Sequence, residues 1–101
     1  MIPMTINQEV NGSALNLALE GRLDTLTSPQ LEETLNASLD GITDLVLDLE
    51  KLDYMSSAGL RVLLAAQKRM NKQGTMKVIH VNKIIMEIFE VTGFATILTI
   101  E

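Results

Sequence analysis

The sequence predicts one small α/β domain, a mixed β-sheet with an N-terminal hairpin followed by alternating helices and strands, with helices packed against the sheet. Three observations carry this. Leu15, Leu17 and Leu19 alternate with Asn16 and Ala18, the period of a strand with one buried face. Leu31, Leu35 and Leu39 recur every four residues, the spacing of an amphipathic helix. Between Asp44 and Val81 an apolar strand, a long apolar helix and a second strand follow one another, a βαβ unit whose strands run parallel through a right-handed crossover.

The elements follow in order. Met4 to Val10 and Ala14 to Glu20 are strands joined by Asn11-Gly12, a dipeptide that supplies the positive φ of a tight hairpin. At Thr27-Ser28-Pro29 a helix begins, with Ser28 as its cap, Pro29 at the first helical position, and Glu32 and Glu33 in the first turn complementing the dipole. Asp40-Gly41 ends it. Asp44 to Leu49 reads as a strand buried on both faces, because Leu45, Val46 and Leu47 are continuous. The helix from about Ser57 to Lys72 carries a wide apolar surface, including Leu60, Val62, Leu63 and Met70, and Gly74 closes it. Met76 to Val81 resumes as strand. Lys83 to Thr92 forms a third helix with Ile85, Ile88 and Phe89 on one face and Gly93 at its end, and Ile97 to Ile100 is a final strand. No linker, repeat or low-complexity segment interrupts the chain, so residues 1–101 form a single domain.

Composition narrows the function classes. A chain of 101 residues buries well over half of its unfolded surface and needs no staples. It has no cysteine, which excludes a disulfide scaffold and a thiolate metal site, and is compatible with a reducing cytoplasm. The net charge of −5 and the eight scattered Lys and Arg argue against nucleic-acid binding. No apolar run approaches the roughly 20 residues that span a bilayer, and MIPMTINQEV lacks the basic start and apolar core of a signal peptide. A soluble cytoplasmic protein with no direct membrane insertion is expected.

Catalysis finds little support. There is no GxSxG elbow and no Gly-rich phosphate loop, and His80 ends a strand without a companion His or Cys for metal binding or nucleophilic chemistry. No metal, cofactor or enzymatic activity is expected.

The chemistry concentrates at Leu49 to Leu60, where an apolar strand runs through Asp53, Met55, Ser56 and Ser57 into a helix. The first N–H groups of a helix lack intrahelical acceptors and carry the positive end of the macrodipole, so a phosphate there is stabilised locally by roughly 0.3 to 1 kcal/mol. A serine at this point equally serves as an N-cap. One serine caps, and two leave a spare. Asp24, in Gly21-Arg22-Leu23-Asp24, precedes a helix much as Asp53 does; it reads either as a partner contact near Asp53 or as an Asx-turn carboxylate. Arg61 lies one helical turn after Ser57, placed to pair with a phosphate or a partner's carboxylate, or simply solvated. Met55, Ile84 and Met86 exceed what one buried face holds, which fits either an exposed interface or a helix wedged between neighbours.

These residues resemble a family. LDLEKLDYMSSAGLRVLL is similar to the phosphorylation segment of the anti-sigma factor antagonists, single-domain members of the STAS group. That family typically reads Asp-Ser-Ser/Thr/Ala-Gly-Leu after an apolar strand. Alignment on Met55, Gly59 and Leu60 places its phosphorylated serine on Ser57 and its preceding aspartate on Ser56, a departure. GRLDTLTSPQLEETL at Gly21 to Leu35 and VNKIIMEIFEVTGF at Val81 to Phe94 resemble two further family segments, in the same order. Family members often carry a further C-terminal helix, past the point where this chain stops at Glu101.

The resemblance implies a transcription regulator. The unmodified domain would bind an anti-sigma factor with serine kinase activity and free its sigma factor; phosphorylation of Ser57, less readily Ser56, would end the complex, and a serine phosphatase would restore it. The partner surface would comprise Asp24, Asp53, Met55, Ser56, Gly59 and Arg61. The ATP belongs to the partner, so the chain needs no cofactor. A second reading keeps the fold as a non-phosphorylated STAS subunit of a membrane transport complex, favoured by the Ser56 departure. A third, a nucleotide-binding or hydrolytic protein using Asp24, Asp53 and the serines, requires that the isolated chain bind a nucleotide.

Overall fold

A hairpin opens the fold, and two strand–helix–strand crossovers extend it. The computed structural model describes residues 4–101, with β1 (Thr5–Asn11), β2 (Ala14–Leu23), α1 (Ser28–Ser38), β3 (Asp44–Met55), α2 (Ser57–Gln73), β4 (Thr75–Ile79), α3 (Lys83–Thr92) and a 3₁₀ turn at Phe94–Thr96. Met1 to Pro3, the start of the segment read above for a leader, lie outside the described residues. The four strands form one sheet in the order β1-β2-β3-β4, antiparallel at β1/β2 and parallel at β2/β3 and β3/β4. Among the described residues, no helix is long and apolar enough to cross a membrane.

The sheet is covered on one face only, which corrects the expectation that β3 is buried on both. Because β2, β3 and β4 are added in one direction, right-handed crossovers carry α1 and α2 to the same side. Leu15, Leu17 and Leu19 of β2, Leu45, Leu47 and Leu49 of β3, and Met76 and Val78 of β4 are buried there. On the other face Asn16, Glu20 and Lys77 are exposed, and Val46 and Asp48 are only half-buried.

Local chemistry moves four boundaries. The hairpin loop is Gly12-Ser13, since Asn11 still pairs with Ala14; Gly12 takes φ +63° and is the glycine of a two-residue turn that requires positive φ first. β2 and β3 run longer than their apolar patterns because register shifts at Ala18/Glu20 and Gly21/Arg22 let pairing continue to Leu23↔Met55. At α1 the N-cap residue is Thr27, whose side chain makes no capping bond, and Ser28 is buried with its hydroxyl donating to the Asp24 carbonyl at 2.6 Å. Glu32 and Glu33 consequently fall beyond the first turn, which holds no acid.

The final strand expected at Ile97 to Ile100 is a single bridge, Ile100 beside Val78. The N–H groups of Ile97 and Leu98 are taken by the Phe94 carbonyl at 3.0 and 2.9 Å, so the chain joins β4 only where Val78 donates to Thr99 at 2.8 Å and Glu101 donates to Val78 at 3.0 Å. The third helix keeps its expected limits. Asn82 caps it by accepting from the Ile85 N–H at 2.9 Å, and Ile85 and Phe89 are buried on its inner side.

Candidate functional site

The site begins where β2 and β3 end together. The Ser56 N–H donates to the Leu23 carbonyl at 2.8 Å, which ties the start of α2 to the last residue of β2. Ser56 is the N-cap residue, extended at φ −94° and ψ 176°, and its carbonyl accepts from the Leu60 N–H at 3.0 Å. Its side chain does not cap. The Ser56 Oγ is buried and has no hydrogen-bond partner among the described residues. The first amides of α2 are therefore left without a side-chain acceptor, a position at which an added anion is favoured by the dipole. Ser57, the first helical residue, is exposed.

Two of the residues expected at a partner surface are instead packing residues. Met55 is 1% exposed, so its side chain belongs to the core under α2 and offers nothing to a partner. It pairs with Leu23, itself buried, at the last step of the parallel ladder. Gly59 is buried, and a Cβ there would lie 2.7 Å from Leu23 Cγ and 3.0 Å from Met55 Cγ. Glycine is what lets α2 seat directly on the strand ends.

Asp24, Asp53 and Arg61 stay at the surface. Asp24 and Asp53 line one depression of about 650 Å³ together with Glu20, Arg22 and Lys51. The Asp24 carboxylate is turned into its own loop, however: Oδ1 accepts from the N–H groups of Leu26 at 3.0 Å and Thr27 at 3.1 Å. Partial burial by itself would raise its pKa, but those N–H donors, the Thr27 hydroxyl and Arg22 outweigh it and hold the carboxyl below its ordinary value. The Asx-turn alternative thus describes its local structure. Arg61 is exposed and lines a shallow cleft that also contains Thr25, Pro29, Glu32 and Ala58, so the loop before α1 borders the first turns of α2. Ile84 is 60% exposed, and Met86 is half-buried.

Sequence reasoning missed two features that only pairing creates. Arg22 lies over the Tyr54 ring at 4.5 Å from its centre, with its Nε 3.8 Å from Asp24 Oδ2, because the bulged register sets Arg22 opposite Tyr54. His80 is not alone: it follows Ile79, which pairs with Asp48, and its Nδ1 lies 2.9 Å from Asp48 Oδ1, with a Glu50 carboxylate oxygen within 4.8 Å of both. A period-2 count along β4 from Met76 and Val78 would put His80 on the covered face, but the strand ends at Ile79 and His80 takes φ +56°, beside Asp48.

That pair gives a pH prediction. The Asp48 hydrogen bond and charge, assisted by Glu50, raise the His80 pKa above its ordinary value. Burial alone would raise Asp48, yet the Glu50 N–H, His80 and Lys51 together hold it below its ordinary value. The raised His contributes stability that is complete below pH about 6.5 and is lost as pH rises through its folded pKa; the lowered Asp contributes above pH about 3.9 and loses it as pH falls through its own. His80→Asn keeps a residue that tolerates φ +56° and removes the charge. Urea midpoints of the two proteins should differ most between about pH 4 and 6.5 and converge on either side. A difference independent of pH would contradict the pair.

The sequence model of the family described as "Mlab, STAS domain" matches residues 6–99. A putative anti-sigma factor antagonist, BtrV, of Bordetella bronchiseptica is 36% identical over 96 residues, covering 93% of this chain and 83% of that protein. An anti-sigma-B factor antagonist of Staphylococcus aureus is 36% identical over 75 residues, covering 72% of this chain and 69% of that protein. Among solved structures, an anti-sigma factor antagonist from Mycobacterium paratuberculosis superposes with a TM-score of 0.86 at 23% identity, over 96% of this chain and 84% of that one, and shows the same fold. With a one-sided four-stranded sheet, a serine-led α2 on its strand ends and a family match over nearly its whole length, the chain belongs to the STAS domain family.

Proposed function

We propose that this domain is an anti-sigma factor antagonist, a protein-binding regulator whose complex with an anti-sigma factor is ended by phosphorylation of Ser57. The observation that carries the reading is the exposed Ser57 at the first position of α2, beside a cap residue whose own hydroxyl leaves the helix amides open. The sequence relatives named as anti-sigma factor antagonists support the class of partner. Phosphorylation adds about −1.5 to −2 charges and three acceptor oxygens. The helix terminus absorbs that charge locally, whereas an interface shaped to a neutral hydroxyl must desolvate a dianion. Surface contacts then come from Ser57, Arg61, Asp53 and the Asp24 loop, while Ser56 and Gly59 act through the backbone and packing that hold α2 in place.

Incubation with ATP and the co-encoded anti-sigma kinase, followed by peptide mass spectrometry, tests the reading. One added phosphate that disappears in Ser57→Ala and persists in Ser56→Ala is the expected result. Transfer to Ser56 would move the site, and no transfer by an active kinase would leave the second reading, a permanent STAS subunit of a transport assembly. Ser56 in place of the family aspartate is the feature that favours that alternative.

A further inference from the structure

We propose that Asp48, Glu50 and His80 form a site for a divalent transition metal of the zinc class, on the face of the sheet that α1 and α2 leave open. The proposal stands apart from the regulator reading, because it uses neither Ser57 nor its surroundings. An oxygen from each carboxylate and an imidazole nitrogen lie within 4.8 Å of one another. Among the described residues no other three His, Asp or Glu side chains gather so closely.

Strand pairing assembles the group. Asp48 pairs with Ile79, so the residue that follows β4 arrives beside Asp48, and the His80 Nδ1 lies 2.9 Å from Asp48 Oδ1. On β3 the register shift sets two residues, Leu49 and Glu50, against Leu19 alone on β2, a bulge that leaves one residue out of the ladder. The Glu50 N–H donates instead to Asp48 Oδ1 at 3.0 Å, which holds that carboxylate next to Glu50. The sequence pointed away from a metal because it has no cysteine and no second histidine, and both carboxylates reach His80 only through this pairing.

An ion pair alone does not account for the group. It occupies Asp48 and His80, whereas among the described residues the Glu50 carboxylate enters no salt bridge. Asp48 and Glu50 also wall a depression of about 220 Å³ that contains Asn7, Glu20 and Lys51, where three carboxylates face one lysine. A dication offsets that excess of negative charge. Carboxylates alone suit magnesium or calcium, and an imidazole nitrogen beside them favours zinc and its neighbours. Zinc–ligand bonds of about 2.0 to 2.2 Å set tetrahedral donors about 3.3 Å apart, so Asp48 and His80 part slightly and the exposed Glu50 closes in. Water from the depression takes the fourth position. On binding, the Nδ1 proton leaves to solvent, or to Nε2 of a neutral ring, and the nitrogen lone pair ligates the metal. The bound ion ties the end of β4 to β3.

Titration of the full chain with zinc chloride, followed by the NMR signals of its imidazole and by thermal melting, tests this. His80 is the chain's single histidine, so the ring signals report this position alone. The expected result is a ring shift that saturates at one zinc per chain, a melting temperature that rises with the same saturation, and little response to magnesium chloride. Glu50→Gln, at an exposed position, should keep its cooperative urea unfolding and bind zinc about tenfold or more weakly, at least the loss typical of altering a residue that merely supports a ligand. His80→Asn should abolish the rise in melting temperature. Unchanged zinc affinity in Glu50→Gln would reduce the group to an ion pair and overturn the site. A shift that grows without saturating would mean an adventitious ion only, and an equal response to magnesium would remove the imidazole from the ligand set; either result overturns the assignment.

Discussion

Replacing Ser57 with aspartate is expected to weaken binding of the anti-sigma factor about a hundredfold, equivalent to about 2.7 kcal/mol, while leaving the melting temperature nearly unchanged. The two halves of this result come from one place in the fold. Ser57 is the first residue of α2 and is exposed, so a carboxylate there meets unpaired amides and the positive end of the helix dipole and favours the folded state by a few tenths of a kcal/mol to about 1 kcal/mol. The same carboxylate would add a charge to the proposed interface, where it must be desolvated. Ser57→Ala, which adds no charge, should bind as the unaltered chain does and resist the kinase. Equal binding by Ser57→Asp and the unaltered chain in calorimetry would remove the electrostatic basis of the switch.

Phe89→Ala is expected to cost about 3 to 5 kcal/mol of folding stability, the range for deleting a buried aromatic ring. Phe89 is fully buried, and with Ile85 it is one of the two residues that α3 commits to the core. A domain of this size holds about 5 to 15 kcal/mol in all, so the variant should lose roughly 15 to 30 °C of melting temperature. Ile84→Ala on the outer side of the same helix, where the side chain is 60% exposed, should change stability by less than about 1 kcal/mol. Urea unfolding of both variants checks the contrast. Comparable losses would mean that the inner face of α3 is not what anchors it.

Much of this fold was legible because its apolar residues are placed by period. The alternating leucines of β2, the four-residue repeat in α1 and the Ile85/Phe89 face of α3 each told a helix or strand by spacing alone. What spacing could not tell was which side of the sheet each helix would take. Leu45-Val46-Leu47 looks like a strand buried twice, and only the one-way order of β2, β3 and β4 leaves Val46 half-open. The last strand failed for a related reason: Ile97 to Ile100 has strand composition, but the Phe94 carbonyl captures two of its amides first.

The site divides the same way. Ser57 at a helix start and Asp24 beside Asp53 were readable, since each sits where an apolar run stops. Met55 was misread as a contact because β3 continues through Tyr54 and Met55 in register with β2, and that register depends on bulges with no strong sequence mark. The pairing of Arg22 with Tyr54 was invisible for the same cause, and that of Asp48 with His80 because it depends on the crossover that sets β4 beside β3.

The central claim is that a phosphate on Ser57 breaks an interface without melting the domain, and preparing the phosphorylated chain enzymatically tests it most directly. Its thermal melting and its binding to the anti-sigma kinase would be measured beside those of the unmodified chain. The account predicts melting temperatures within a few degrees of each other and binding lost by about a hundredfold or more, equivalent to about 2.7 kcal/mol. Retained binding, or a phosphorylated chain that has lost its cooperative melting, would contradict it.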